Sequence, residues 1–376
     1  MELIALLVIA AAIVYGQNFL FSHFALKRLE YRCSLSASEA VEGDEIELIE
    51  TIENRRWLPA PWLKSEITTS RWLDFAGSQS AVTDETRFVP SFFMVRGYQR
   101  VERRWKVRCL KRGEYRIEKI TLVSTDLFGN LSISKPVEAD AHLLVLPRPS
   151  GPLPDLLSPR YLQGDRAAPR HLLPDPFFRT GAREWDDRDP SGRIHWGATA
   201  KTGRLMVYEN EYTSRQNLGV ILNMQSRPFE NAGVIDREKI EEAIRLCAAA
   251  FEKALLSLFP LRFFTNANTT EGYEPTITAE NWGEDYTDSL MRTLAYLQNR
   301  STESFPAFLN RLSGRMMVSD VLIITAYADE SLAQFVEEQA RLGIHTQVLL
   351  VDFAPPEGLE LGCPLLLFAP EGGEER

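Results

Sequence analysis

The segment from Arg183 to Glu211 carries the densest set of side chains able to do chemistry. It crowds both signs of charge into a short stretch, namely Arg183, Asp187, Arg188, Asp189, Arg193, Lys201 and Arg204. Guanidinium groups bind carboxylates and phosphates through paired hydrogen bonds. The same composition is typical of a salt-bridged structural turn. The sequence therefore leaves two interpretations open, a structural turn and a surface that docks a partner or an anion.

His195 lies inside this segment, and histidine is the side chain whose ordinary pKa is close to neutral pH. With Asp189 nearby it could carry a proton in a hydrolase, but an exposed or hydrogen-bonded structural histidine is the more common case. The five histidines are scattered and form no zinc or serine hydrolase motif. The chain also lacks the glycine-rich loops that bind nucleotides. We therefore predict that the protein is not an enzyme, holds no metal and needs no cofactor.

Local signals predict how the charged segment folds. Asp189 followed by Pro190 is a typical helix start, and Gly203 stands where a left-handed residue would end a helix. We expect a short helix from Pro190 to about Lys201. A strand should follow at 205–208, where the side chains alternate with a period of two.

Length and charge set limits on the whole molecule. A chain of 376 residues allows two or three domains at about 100–200 residues per domain. Its 42 basic and 52 acidic residues give a net charge of -10, which argues against bulk attraction to nucleic acid. The four cysteines form no CxxC pair, so neither a disulfide framework nor a thiolate zinc site is indicated.

The amino terminus has the composition of a membrane segment. No formally charged residue occurs from Leu3 to Leu26, and the apolar run ends at Gly16. A helix over that run reaches ~21 Å, so crossing a ~30 Å hydrocarbon core would also require residues 17–21. The basic residues that follow mark the flank expected to be cytoplasmic, namely Lys27, Arg28 and Arg32. We predict an uncleaved single-pass anchor in the cell membrane that contacts lipid, with the body cytoplasmic. The alternatives are a cleaved signal peptide and a buried core helix at the start of a domain, although such a helix would normally show a polar stripe.

Strand patterns dominate the next part of the chain. From Val101 to Cys109, apolar and aromatic residues alternate with charged ones, apart from Arg103, as in a half-buried strand. Similar patterns separated by turn residues predict an Ig-like β-sandwich at 29–148. Four tryptophans could form a ligand-stacking platform, but large aromatics in a sandwich are more often core. We predict a core role for Trp57, Trp62, Trp72 and Trp105.

A proline-rich linker and an α/β region complete the chain. Eight prolines fall between Pro147 and Pro176, a density incompatible with helix interiors or central strands. Beyond them, apolar strands alternate with helices such as 236–259. We expect Asp236 to cap this helix, and its apolar stripe, which includes Ile240, Ile244, Phe251 and Leu258, needs a sheet. The predicted fold class is multidomain, with an N-terminal transmembrane helix at 1–28, the sandwich at 29–148, a linker wrapping the next domain at 149–182, and an α/β domain with a mostly parallel sheet at 183–376.

The charged segment resembles the signature of the family called domain of unknown function 58. The matching residues are Arg183, Asp189, Ile194, Trp196, Ala200, Gly203, Arg204 and Leu205. The chain departs from the signature at four positions, namely Trp185, Arg188, His195 and Lys201. The layout is also similar, with a membrane segment and a β-rich region before the signature, although family members commonly carry two spans.

The resemblance implies a C-terminal domain similar to the von Willebrand factor type A fold, and a MoxR-type AAA ATPase as protein partner. The type A fold binds Mg²⁺ through carboxylate and hydroxyl oxygens after its first and central strands. The positions that correspond here hold Asn223, Gln225, Arg227 and Ala326. Because Arg227 is cationic and the carboxylates are missing, the resemblance implies a degenerate ion site.

These observations predict a membrane-anchored, cytoplasm-facing scaffold or adaptor that acts through protein–protein interaction. The expected partner is the MoxR-type ATPase, and no nucleic acid is expected. The residues expected to carry the interaction are Arg183, Asp189, Ile194, Trp196, Gly203 and Arg204. The alternative is a divalent-ion-dependent ligand-binding module, in which Ser226 or the acidic loop at 266–285 replaces the lost ligands.

Overall fold

The computed structural model describes residues 2–126, 131–150, 153, 174–186, 194–212, 217–230, 233–269, 274–352 and 358–368. The chain divides into two compact units. The first unit comprises Met1–Arg148 with Met291–Tyr296, and the second comprises Pro149–Leu290 with Leu297–Arg376.

The described part of the first unit starts with a helix and continues as β-strands. Its elements are α1 (Glu2–Phe24), β1 (Leu29–Leu35), β2 (Glu39–Val41), β3 (Glu45–Asn54), β4 (Ala60–Ser70), β5 (Leu73–Phe75), β6 (Ala81–Val82), β7 (Thr86–Val95), β8 (Arg100–Cys109), β9 (Gly113–Thr125) and β10 (Ser132–Leu146). The strand expected at 101–109 is confirmed as β8, whose last inward side chains are buried.

The strands of the first unit form two sheets around one core. One sheet has the order β1-β3-β8-β5 and the other the order β2-β10-β9-β4-β7-β6. Every second side chain of β3 is buried, as the two-residue period of a strand requires. Leu48 and Ile52 of one sheet belong to the same apolar cluster as Leu63 and Ile67 of the other. The two sheets therefore pack face to face as a sandwich.

The expected membrane anchor needs correction. Among the described residues, no helix has both the length and the apolar character needed to cross a membrane. The apolar run of α1 ends at Gly16, about 21 Å from its start. The next residue, Gln17, donates a hydrogen bond from its side-chain amide to the Asp126 carboxylate at 3.3 Å. The predicted transmembrane helix and the single-pass location in the cell membrane are therefore wrong.

The predicted fold class is wrong with it, because a spanning helix was part of that class. Strands outnumber helices among the described residues, twenty to six. The boundaries expected for the domains remain a prediction, and most of the proline-rich linker lies outside the described residues.

The second unit mixes strands and helices. Its described elements, together with one helix shared between the units, are β11 (Pro174–Glu184), α2 (Trp196–Thr202), β12 (Met206–Tyr212), β13 (Leu218–Leu222), α3 (Arg237–Leu256), β14 (Leu261–Thr265), β15 (Ala267–Thr269), β16 (Thr276–Ile277), α4 (Glu284–Tyr296), β17 (Leu297–Ser301), α5 (Phe305–Leu312), β18 (Asp320–Thr325), α6 (Glu330–Arg341), β19 (His345–Val351) and β20 (Leu365–Phe368).

The helix α3 shows how the sequence builds this unit. The Asp236 carboxylate accepts a hydrogen bond from the Lys239 backbone N–H at 3.3 Å, so the expected N-cap is confirmed. Ile240, Ile244 and Phe251 of the expected stripe are completely buried. Leu258, expected on the same face, is instead exposed, because α3 has already ended at Leu256.

The main sheet of the second unit has the order β16-β14-β13-β18-β19-β20. The five strands from β14 to β20 run parallel, and β16 pairs antiparallel at the edge. The chain adds β14 on one side of β13 and β18 on the other, so its direction across the sheet reverses between β13 and β18. In open α/β sheets, ligands bind at the carboxyl ends of strands at such a reversal.

Candidate functional site

The carboxyl ends of β13 and β18 hold a cluster of buried polar side chains. Asn223 has no exposed surface, and its side-chain N–H donates to the Thr325 hydroxyl at 3.0 Å. Its carbonyl oxygen accepts from the Gln225 backbone N–H at 3.0 Å and from the Asn266 amide at 3.3 Å. Asn223, the first residue of the implied ion site, thus uses both its side-chain N–H and its side-chain oxygen to bind other groups of the protein.

Gln225 is engaged in the same way. Its side-chain oxygen accepts from the Phe305 backbone N–H at 2.7 Å and from the Tyr327 hydroxyl at 3.3 Å. Its side-chain N–H donates to the Glu230 carbonyl at 2.6 Å. Burial and the nearby Glu230 and Asp329 carboxylates raise the pKa of Tyr327, so its hydroxyl stays protonated as a donor.

Glu230 is the member of this cluster that the sequence analysis missed. One carboxylate oxygen accepts from the Ser226 hydroxyl at 2.5 Å and the Ile235 backbone N–H at 3.0 Å. The other accepts from the Ser226 backbone N–H at 2.7 Å. The sequence indicated Glu230 only by its spacing. It lies four residues after Ser226, so a tight loop can bring the two side chains together.

The cluster does not match the oxygen-rich cage that a divalent cation requires. Among the described residues, no group of three or more His, Cys, Asp or Glu side chains could hold a metal ion. Ala326 is buried at the edge and Arg227 is exposed beyond it. Asp329, a carboxylate that follows β18, accepts from the Leu332 backbone N–H at 3.0 Å and caps α6. The residues present therefore fit a closed hydrogen-bond network better than an ion site.

The signature segment lies around α2 and is largely exposed. Trp196 begins α2 with 69% of its surface exposed, and none of the seven residues of α2 is buried. Gly203 adopts φ 70° and ends the helix, as expected. Arg204 pairs with Glu184 at 2.6 Å. Ile194 forms a single bridge to β12.

The start of α2 differs from the expectation. The helix begins at Trp196 and is capped by His195, whose Nδ1 accepts from the Ala198 backbone N–H at 3.2 Å. The imidazole also stacks on the Tyr208 ring, with ring centres 4.2 Å apart. These contacts favour the structural interpretation of His195. Asp189 and Pro190, expected to start the helix, lie outside the described residues.

The outer side of the sandwich carries exposed apolar side chains, which we call the apolar face. Its members are Trp62, Phe88, Phe92 and Met94, with exposed fractions of 57%, 42%, 62% and 67%. The core role expected for Trp57 and Trp62 is therefore wrong, whereas Trp72 and Trp105 do pack against the core. The overlooked signal was the sequence of β7, in which the side chains on both faces of the strand are largely apolar. A strand of an antiparallel sheet usually turns a polar face to water.

Strand register brings these side chains together. Phe92 of β7 lies opposite Lys64 of β4, and Lys64 lies opposite Val123 of β9. The Lys64 ammonium group lies 5.9 Å from the centre of the Phe92 ring and pairs with Glu66. A cavity of about 630 Å³ opens here, lined by Pro61, Trp62, Leu63, Lys64, Phe92, Phe93, Met94, Val123, Thr125 and Asp126.

Comparison with known proteins gives no family for this chain. No family model matches it. No curated protein matches it either. The resemblance to the domain of unknown function 58 family therefore remains a prediction.

Several solved structures are similar over part of the chain. A non-cellulosomal cohesin from Archaeoglobus fulgidus is 14% identical, covers 31% of this chain and 91% of its own, and has a TM-score of 0.21. A CARDB domain with di-metal ions from Pyrococcus furiosus is 9% identical, covers 30% and 94%, and has a TM-score of 0.19. A type I cohesin–dockerin complex from Clostridium thermocellum is 11% identical, covers 31% and 99%, and has a TM-score of 0.21.

These similarities are too low to carry a functional conclusion. No family model or curated protein supports the expected von Willebrand type A domain. The type A-like assignment is therefore corrected to a six-stranded sheet with one antiparallel edge strand, without a named fold family.

Proposed function

We propose that this protein is a non-enzymatic scaffold that binds a protein partner through the apolar face of its sandwich. The observation that carries the proposal is the exposure of Trp62, Phe92 and Met94, each more than half accessible to water. A membrane anchor is not part of this proposal.

The physical reason is the cost of leaving large apolar side chains in water. Single exposed apolar residues are common on protein surfaces, but a contiguous patch marks a binding surface. Aromatic residues and methionine are enriched at protein interfaces, where they fill pockets in the partner. Lys64 and Glu66 lie beside the patch on β4 and supply the polar rim that such interfaces have.

The resemblance stated from the sequence supplies a specific candidate, a MoxR-type AAA ATPase. Support for this partner comes only from the signature around Trp196 and Arg204. The apolar face and the ATPase are therefore separate parts of the proposal, and they need separate tests.

The first test is surface plasmon resonance with the full chain and a purified MoxR-type ATPase, without nucleotide and with ATP or ADP. We expect the double variant Phe92→Thr, Met94→Thr to bind at least tenfold more weakly, because it removes apolar contact area. Both substitutions replace exposed side chains with a β-branched residue suited to a strand. Trp57→Ser is the matched control, since Trp57 is 75% exposed but lies outside β4 and β7.

No binding of the unsubstituted chain in any nucleotide state would reject the ATPase. The apolar face would then be examined with a photo-crosslinking residue at position 92 and, as control, at position 57. Equal or absent crosslinking to other proteins at the two positions would reject the scaffold proposal itself.

A further inference from the structure

Phe229 lies in the loop after β13 and has an unusual conformation. Its side chain is 92% exposed, and its φ angle is 66°. The left-handed region is unfavourable for a bulky side chain, and glycine or asparagine normally occupies it. An exposed phenyl ring gains almost nothing from the hydrophobic effect in the folded chain. Both features disfavour phenylalanine here, although Tyr98 and Leu258 share them.

The chain holds this conformation in place from both sides. Glu230 is buried directly after Phe229, and its carboxylate accepts hydrogen bonds from Ser226 and Ile235. The Glu230 carbonyl accepts from the Gln225 amide at 2.6 Å. Pro228 precedes Phe229 and has a fixed φ angle of its own. The buried polar cluster thus holds the loop in one conformation, in which the Phe229 ring points outward.

The place of the loop also favours binding. It lies at the carboxyl ends of the parallel strands, beside the reversal between β13 and β18 where open α/β sheets bind ligands. The polar groups beneath it bind one another, so a ligand there would meet the loop and not a pocket in the sheet. Strained residues held by their surroundings are concentrated at functional sites.

The immediate neighbours of Phe229 indicate what it would contact. Arg227 is exposed and pairs with no carboxylate among the described residues. Ile235, whose backbone N–H binds Glu230, is 65% exposed and adds apolar surface beside the loop. The loop therefore offers an aromatic ring, an aliphatic side chain and an unpaired guanidinium group together.

We propose that Phe229 is a preorganised anchor that inserts into an apolar pocket of a partner protein whose rim carries a carboxylate for Arg227. An aromatic residue with a fixed backbone loses little conformational entropy on binding. Aromatic residues and arginine are the types that most often dominate binding energy at interfaces. This surface is distinct from the apolar face. A result that rejects one of the two proposals therefore leaves the other unchanged.

The partner is identified by placing a photo-crosslinking residue at position 229 of the full chain in its own cells. Leu258 provides the matched control, because it is also exposed, also has a positive φ angle of 56°, and lies just before β14, at the amino ends of the parallel strands. We expect a protein crosslinked at 229 and not at 258. The same products at both positions, no products, or crosslinks only to a second copy of this chain would overturn the proposal.

The crosslinked protein is then purified and titrated against variants by calorimetry, with thermal unfolding measured in parallel. Phe229→Asn should bind at least tenfold more weakly, and its unfolding midpoint should stay the same or rise because asparagine tolerates φ above zero. Leu258→Asn should keep binding within twofold. Unchanged affinity of Phe229→Asn, or a lowered unfolding midpoint, would refute the anchor. These variants leave Phe92 and Met94 intact, so failure here does not bear on the apolar face.

Discussion

Glu50 shows how a single residue can hold the sandwich together. Its carboxylate has no exposed surface and accepts three hydrogen bonds across the core. The donors are the Tyr31 hydroxyl at 2.7 Å, the Ser65 hydroxyl at 2.5 Å and the Trp105 indole N–H at 2.7 Å. Tyr31 and Trp105 belong to one sheet and Ser65 to the other, so Glu50 links the two sheets. A buried carboxyl group is tolerated here because three donors satisfy its oxygen atoms.

We expect Glu50→Ala to lower the free energy of unfolding by about 3–5 kcal/mol, because three buried donors lose their acceptor and a cavity opens. Urea-induced unfolding followed by circular dichroism measures this change. Glu47 is the control, since it lies on the same strand with its side chain outward, partly exposed and paired with Arg104 at the surface. Glu47→Ala should stay within about 0.5 kcal/mol of the unsubstituted protein. Similar losses for the two variants would show that the Glu50 network does not stabilise the sandwich.

At the scale of elements, Gly97 marks the point where two connections between strands cross at close range. It lies in the connection between β7 and β8, against the connection between β3 and β4. A Cβ atom at this position would lie 2.2 Å from the Trp57 carbonyl oxygen. The Tyr98 backbone N–H donates to the Arg56 carbonyl at 2.9 Å, which holds the two connections together. Any larger residue at position 97 must therefore push a backbone segment aside.

We expect Gly97→Ala to destabilise the protein by about 3 kcal/mol, at the upper end of overpacking effects, because the clash is with backbone. Gly77→Ala is the matched control. Gly77 has φ 72° and nothing within 4 Å of its Cβ position, so only backbone strain of about 1 kcal/mol applies. Chemical unfolding of both variants compares the two costs. A loss for Gly97→Ala no larger than that for Gly77→Ala would contradict the close crossing.

Strands and helices with a strong hydrophobic period were predictable from the sequence, whereas the way they face neighbouring elements was not. The alternation at 101–109 and the stripe and cap of α3 depend on neighbours in sequence, so the sequence shows them. The direction of Trp57 and Trp62 depends on which side of the sandwich each strand faces, and composition does not encode that. The start of α2 moved from the expected Pro190 to Trp196, because His195 supplies the observed cap.

At the scale of the whole molecule, the candidate site was only partly predictable. Asn223 and Gln225 were placed at the correct strand end, but Glu230 joins them through a loop whose shape no sequence period reveals. Phe229 gave no signal, since a positive φ angle in a phenylalanine contradicts its own local preference. Sequence rules fail where surroundings override such preferences, and these positions are the ones expected to be functional.

Three buried or half-buried thiols, Cys33, Cys109 and Cys363, give the whole molecule a defined response to alkaline pH. Burial, with a smaller contribution from the Glu50 carboxylate, raises the pKa of Cys33 from 9.0 to about 12. Burial likewise raises the pKa of Cys109 and of Cys363 to about 11. Between pH 9 and these values the folded chain keeps protons that the unfolded chain releases. Folded stability is therefore intact below pH 9 and falls as pH rises towards the folded pKa values.

We expect the Cys33 thiol to contribute a loss of about 1.4 kcal/mol per pH unit above pH 9. Cys33→Ala should remove one contribution, so its loss of stability from pH 9 to 10.5 should be smaller by about 2 kcal/mol. The difference between the two proteins should not change with pH from 6 to 7.5, where the thiol is protonated in both the folded and the unfolded chain. Urea unfolding at these pH values measures both intervals. Parallel stability curves above pH 9 would show that the Cys33 thiol ionises as easily in the folded chain as in the unfolded one.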